Sequence, residues 1–91
     1  MERITQKQLE MLVDQINAAT ESPPEPYRVE DGRHKANIGN YHLSGAYGGW
    51  ALHRMDSDGG GVDDVFGSGH VPRRELYQRM RAFLVGLRAK S

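Results

Sequence analysis

Residues 41–55 alternate in two short runs on either side of a glycine-containing turn, and this pattern limits the fold more than any other stretch. With residues 45–48 as the loop, Ser44 faces Gly49, Leu43 faces Trp50 and Tyr41 faces Leu52. Tyr41, Leu43, Trp50 and Leu52 then share one face, and His42, Ser44, Ala51 and His53 share the other. Four large apolar groups on one side are what a half-buried antiparallel hairpin requires. The expected core face therefore carries the only Trp of the chain, and the expected outer face carries two of its four His.

Two helices bracket this hairpin. Thr5 with Gln8 forms the capping-box pattern, and Leu9, Leu12, Val13 and Ile16 follow at helical spacing. Pro23 and Pro24 forbid continuation, so the first helix is expected over residues 5–20. Pro26 completes a stiff extended spacer. Near the other end Pro72 suits a helix start, and Leu76, Tyr77, Met80, Phe83, Leu84 and Leu87 form an amphipathic stripe. This second helix is expected over residues 72–88.

The remaining strands are less sharply marked. Tyr27 and Val29 alternate with charged residues before an Asp31-Gly32 turn, a pattern that fits either a short edge strand or an ordered loop. From His34 to Ser44 the apolar phase changes between Ile38 and Tyr41, which predicts a bulge or bend at Gly39-Asn40 in a strand over residues 36–44. Strands over 49–55 and 62–66 complete a second hairpin. One register of it turns Val65 inward and another turns Phe66 inward, and Gly59, Gly60 and Gly61 allow either. Arg54 is expected to meet Asp63 or Asp64 across the strands. The order is α-β-β-β-α, an α+β domain with both helices on the Tyr41/Trp50 face of a three-stranded antiparallel sheet.

Composition excludes several classes of function. Ninety-one residues predict one small domain, and with no Cys neither disulfides nor thiolate metal sites can staple it. No apolar run approaches the ~20 residues of a membrane span, and the first residues lack the apolar stretch of a secretory leader, so a soluble intracellular protein is expected. Net charge is zero but unevenly spread. Arg73, Arg74, Arg79, Arg81, Arg88 and Lys90 cluster near one end, and Asp56, Asp58, Asp63 and Asp64 form an acidic stretch before them.

No motif for a catalytic reaction, cofactor or metal is expected. The Gly59-Gly60-Gly61 run lacks a Walker ending. His42 and His53 match no zinc spacing. Ser68, His70 and Asp64 supply triad residue types without implying triad geometry, which leaves a small hydrolase as the remotest reading. A glycine turn before a helix, backed by Arg73 and Arg74, has the chemistry of a phosphate site, although Pro72 removes one amide donor. The candidate binding residues are therefore His42, His53, Ser68, His70, Arg73 and Arg74.

Asn37-Ile38-Gly39-Asn40-Tyr41-His42-Leu43, the Ala46-Tyr47-Gly48-Gly49 turn, Gly60-Gly61-Val62 and Arg74-Glu75-Leu76-Tyr77 resemble a family of small bacteriophage and prophage proteins. Phe83-Leu84 and Gly86-Leu87 extend the similarity, which runs from about Tyr27 onward. The resemblance implies a phage-derived protein in the bacterial cytoplasm and brings no catalytic or binding residue with it. The expected function is non-enzymatic protein binding, to a second copy or to a host protein. The alternative is phosphate-ligand or nucleic-acid binding through residues 67–74 and the basic helix.

Overall fold

The computed structural model describes residues 3–89. Its elements run α1 (Gln6–Ala19), β1 (Tyr27–Glu30), β2 (Arg33–Ala36), β3 (Tyr41–Ala46), β4 (Gly49–Met55), β5 (Val62–Asp64) and α2 (Arg73–Ala89). Strands β3, β4 and β5 form an antiparallel sheet with β4 at its centre, and β1 and β2 form a separate two-stranded ribbon. The fold is α+β, with two helices against the three-stranded sheet.

The first helix begins as its sequence dictates. Thr5 Oγ1 accepts the Gln8 amide at 3.2 Å, and the Gln8 side chain accepts the Thr5 amide at 2.8 Å. Leu9, Leu12, Val13 and Ile16 of α1 meet Leu76, Met80 and Leu84 of α2 over Tyr41 and Leu52 of the sheet. Leu9, Ile16, Leu52, Leu76 and Met80 are fully buried, each contributing about 1.5–3 kcal/mol. Phe83 binds the layers together, its ring 6.0 Å from Tyr41 and 5.8 Å from Phe66. The Cβ direction of Gly86 meets nothing, so no close helix approach depends on it.

The central hairpin differs from the expected register by two residues. Leu43 pairs with Leu52, Ser44 with Ala51 and Gly45 with Trp50, around a tight turn at Tyr47 and Gly48. Both turn residues have left-handed backbone, φ 54° and 73°, which suits the twist of a two-residue hairpin and makes the four-residue loop unnecessary. Trp50 lies over Gly45, where a Cβ would come within 3.2 Å of its ring. Because a slip of two residues preserves side-chain parity, Tyr41, Leu43, Trp50 and Leu52 still share the helix-covered face.

Two further expectations change. The phase shift between Ile38 and Tyr41 is a turn rather than a bulge. Gly39 has φ 95°, the Asn40 amide bonds Asn37 O at 3.1 Å, and residues before and after belong to different sheets. Residues 36–44 are therefore not one strand. Arg54 is the cross-strand neighbour of Asp63, yet no ion pair joins them among the described residues; its guanidinium lies 5.9 Å from the Tyr41 ring centroid. Beyond β5 both open choices are used: the Val65 amide bonds Leu52 O at 3.0 Å, and Val65 and Phe66 both pack on the core.

The ribbon stands apart from this core. Every β1 residue is exposed, and its pairs Arg28–Glu30 and Lys35–Glu30 contribute less than about 1 kcal/mol each. Its base is tied by the Asn37 amide to Pro26 O at 2.8 Å and by Arg28 Nη1 to Asn37 Oδ1 at 2.8 Å.

Candidate functional site

The sheet face opposite the helices is built by alternation, and on it Ala51 and Met55 are buried while His42, Ser44 and His53 are half-buried. His42 and His53 are direct cross-strand partners, Ser44 and Ala51 are the next, and Asp64 of β5 lies beside His53. After β5 the chain loops out and returns. Asp64 Oδ1 accepts the amides of Phe66 at 3.3 Å and Gly67 at 3.2 Å, and Oδ2 accepts that of Gly69 at 2.8 Å. Gly67 and Gly69 have left-handed φ values of 64° and 70°, which lets this tight loop wrap one carboxylate. Val71 then exchanges two backbone bonds with Trp50, at 2.7 and 2.9 Å.

That return delivers His70 to the same face. Its Nε2 sits 3.0 Å from Ser44 Oγ, and its ring lies 6.0 Å from His53 and 6.1 Å from Tyr47. His53 in turn lies 6.0 Å from His42. Four rings thus meet edge-to-face in a row, Tyr47–His70–His53–His42, ending in a tyrosine that is 99% exposed. Edge-to-face contact is the favoured arrangement for such rings.

His42 is held most firmly. Its Nδ1 lies 3.2 Å from Oδ1 of the fully buried Asn40, whose Nδ2 donates to Pro23 O at 2.8 Å. A carbonyl can only accept, so the Asn40 amide is oriented and its Oδ1 must also accept. The proton of His42 is assigned to Nδ1 on this basis, which leaves Nε2 with its lone pair. Burial first, and the neighbouring His53 second, hold the His42 pKa below its ordinary value of 6.5.

The candidate residues fall into two groups. His42, His53 and His70 meet; Ser68, Arg73 and Arg74 do not join them. Ser68 donates to Gly69 O at 3.3 Å within its own loop. Arg73 and Arg74 open α2, and Arg73 lines a shallow depression with Gly45, Gly49, Trp50 and Pro72. Ser44, not Ser68, is the hydroxyl beside His70. Sequence reasoning placed Ser44 on the outer face but could not bring His70 to it across the excursion after β5.

Ser44 and His70 have the separation of a nucleophile and its base. No carboxylate hydrogen-bonds His70 among the described residues, and Asp64 already accepts three loop amides. The same three bonds leave the amides of residues 66, 67 and 69 already paired within the loop. No group of three or more His, Asp or Glu able to hold a metal ion occurs among the described residues. No helix of the structure is long and apolar enough to cross a membrane. No protein-family model, curated protein or solved structure matches the chain.

Proposed function

We propose that this is a non-enzymatic accessory protein of bacteriophage or prophage origin that acts in the host cytoplasm by binding protein, a second copy or a host factor. The observation that carries the reading is the division of the sheet. One face is closed by two helices, while the other presents a connected row of rings ending in the exposed Tyr47. Half-buried imidazoles beside Ser44 and the exposed Tyr47 ring offer apolar contact with polar edges, the chemistry favoured at protein interfaces. The phage origin rests on the sequence resemblance around Asn37–Leu43 and Ala46–Gly49.

The phosphate-ligand reading is weaker because Asp64 holds the amides of residues 66, 67 and 69. Arg73 and Arg74 would have to act without that loop. Light scattering across a concentration series, paired with capture from bacterial lysate, tests the proposal. The wild-type protein is expected to dimerise or to retain one host protein, and Tyr47→Asn or His53→Gln to weaken that association without unfolding. A strict monomer that captures nothing would sink it.

A further inference from the structure

We infer that β3 pairs through its open edge with β3 of a second copy, antiparallel about a two-fold axis at Ser44. The inference rests on the second-copy form of the proposed protein binding and places the contact on the sheet edge rather than the outer face.

β3 is an outer strand of its sheet, and its free side is only partly covered. Asn17 bonds both the amide and the carbonyl of Tyr41, so these two groups point away from β4. Along an antiparallel strand such groups turn to alternate sides, so those of Leu43 and Gly45 point outward with them. No hydrogen bond reaches them among the described residues. Asn17 closes the edge at one end and the turn at Tyr47 closes it at the other. Between them lie donors and acceptors placed to add one short strand.

One two-fold register uses all of these groups. Leu43 then lies opposite Gly45 of the second copy, Gly45 opposite its Leu43, and Ser44 opposite Ser44 on the axis. Each Leu43–Gly45 pair exchanges two backbone bonds. Leu43 and Trp50 are only half-buried on the helix-covered face, and the Trp50 ring lies over the exposed Gly45. Leu43 of one copy therefore lands beside the Gly45 that carries the other copy's Trp50 ring. Each copy covers apolar surface that the other leaves open.

Charge selects a second copy as the occupant. Near Tyr41 and Leu43 the groove beside β3 is lined by Glu10 and Asp14 of α1. Near Gly45 and Trp50, beyond the same ring, it is lined by Arg73 of α2. None of these three has an ion-pair partner among the described residues. Antiparallel pairing reverses one copy against the other, which turns Arg73 of each toward Glu10 and Asp14 of its mate. The edge is thus complementary to itself.

Sedimentation of the full chain over a concentration series, with variants at both ends of the edge, tests the pairing. The wild-type protein is expected to dimerise. Arg73→Glu alone, and Glu10→Lys with Asp14→Lys, should each weaken self-association about tenfold or more by opposing like charges. Mixing these two variants should restore dimers, because every charged contact across the mixed pair is again between opposite signs. Ser44→Cys supplies the only thiol of the chain. The two Ser44 positions form a non-hydrogen-bonded pair with Cα atoms about 4.5 Å apart, within disulfide reach. This variant should oxidise to a covalent dimer several times faster than Val29→Cys on the exposed ribbon. A wild-type monomer, unchanged dimers in both reversals, a mixture that does not recover, or equal oxidation of the two thiols would overturn the inference. A monomer that still retains a host protein overturns the edge pairing alone and leaves the proposed protein binding standing. A dimer weakened by His53→Gln and by neither reversal likewise overturns it, and returns the contact to the outer face.

Discussion

Asn17 closes the backbone of Tyr41 from across the domain: its Nδ2 donates to Tyr41 O at 3.0 Å and its Oδ1 accepts the Tyr41 amide at 2.8 Å. A helix side chain thus stands in for the strand that β3 lacks on its outer edge. Asn17→Ala would leave two buried backbone groups without partners. Urea unfolding should show a loss of about 2–4 kcal/mol. A loss below about 1 kcal/mol would mean that water replaces the amide fully.

Two glycines should respond in opposite directions. A Cβ on Gly49 would meet the backbone of His70 and Val71 at 3.0–3.1 Å, and backbone cannot swing aside as a side chain can. Gly49→Ala is expected to lose about 2 kcal/mol and to loosen the Trp50–Val71 bridge. Gly86→Ala, with nothing near its Cβ direction, should gain up to about 1 kcal/mol from helix propensity. Thermal melts of the two variants check both signs.

Tyr47 combines a costly backbone with an exposed ring. Its φ of 54° is a conformation that Asn adopts more readily than Tyr. Tyr47→Asn should therefore raise the melting temperature by a few degrees, equivalent to about 0.5–1 kcal/mol. The same substitution should weaken partner binding. Opposite movement of stability and affinity is the expected signature of a residue kept for contact, and parallel movement would assign Tyr47 to structure alone.

Asp64 organises the loop before α2 through three amides. Asp64→Ala is expected to lose about 1–2 kcal/mol in urea unfolding, and Asp64→Asn less, because an amide oxygen can still serve Phe66 and Gly67. If phosphate binds the protein only after Asp64→Ala, the carboxylate is acting as the loop's built-in anion. Equal phosphate affinity before and after would show that these amides never face a ligand.

Much of this architecture is legible in the residues. The parity of Tyr41, Leu43, Trp50 and Leu52 assigns the core face, and that assignment survives because a two-residue slip changes partners without changing faces. The register itself is hidden, since it depends on Tyr47 entering a left-handed backbone that a bulky residue rarely adopts. The phase change at Gly39-Asn40 marks a real discontinuity, but pattern alone does not separate a bulge from a turn between two sheets. The outer face is half legible. His42 and His53 follow from alternation, whereas His70 arrives only through a loop whose path depends on Asp64.

The ribbon of β1 and β2 is closed at its base, where the Asn37 amide meets Pro26 O at 2.8 Å. Its second strand also leans on the sheet: Ala36 is buried, and its amide donates to Asp58 O at 3.2 Å in the turn between β4 and β5. The two strands of the ribbon are therefore under different constraints. The exposed residues of β1 can change charge and shape without disturbing the core, whereas the end of β2 is part of what holds the β4–β5 turn.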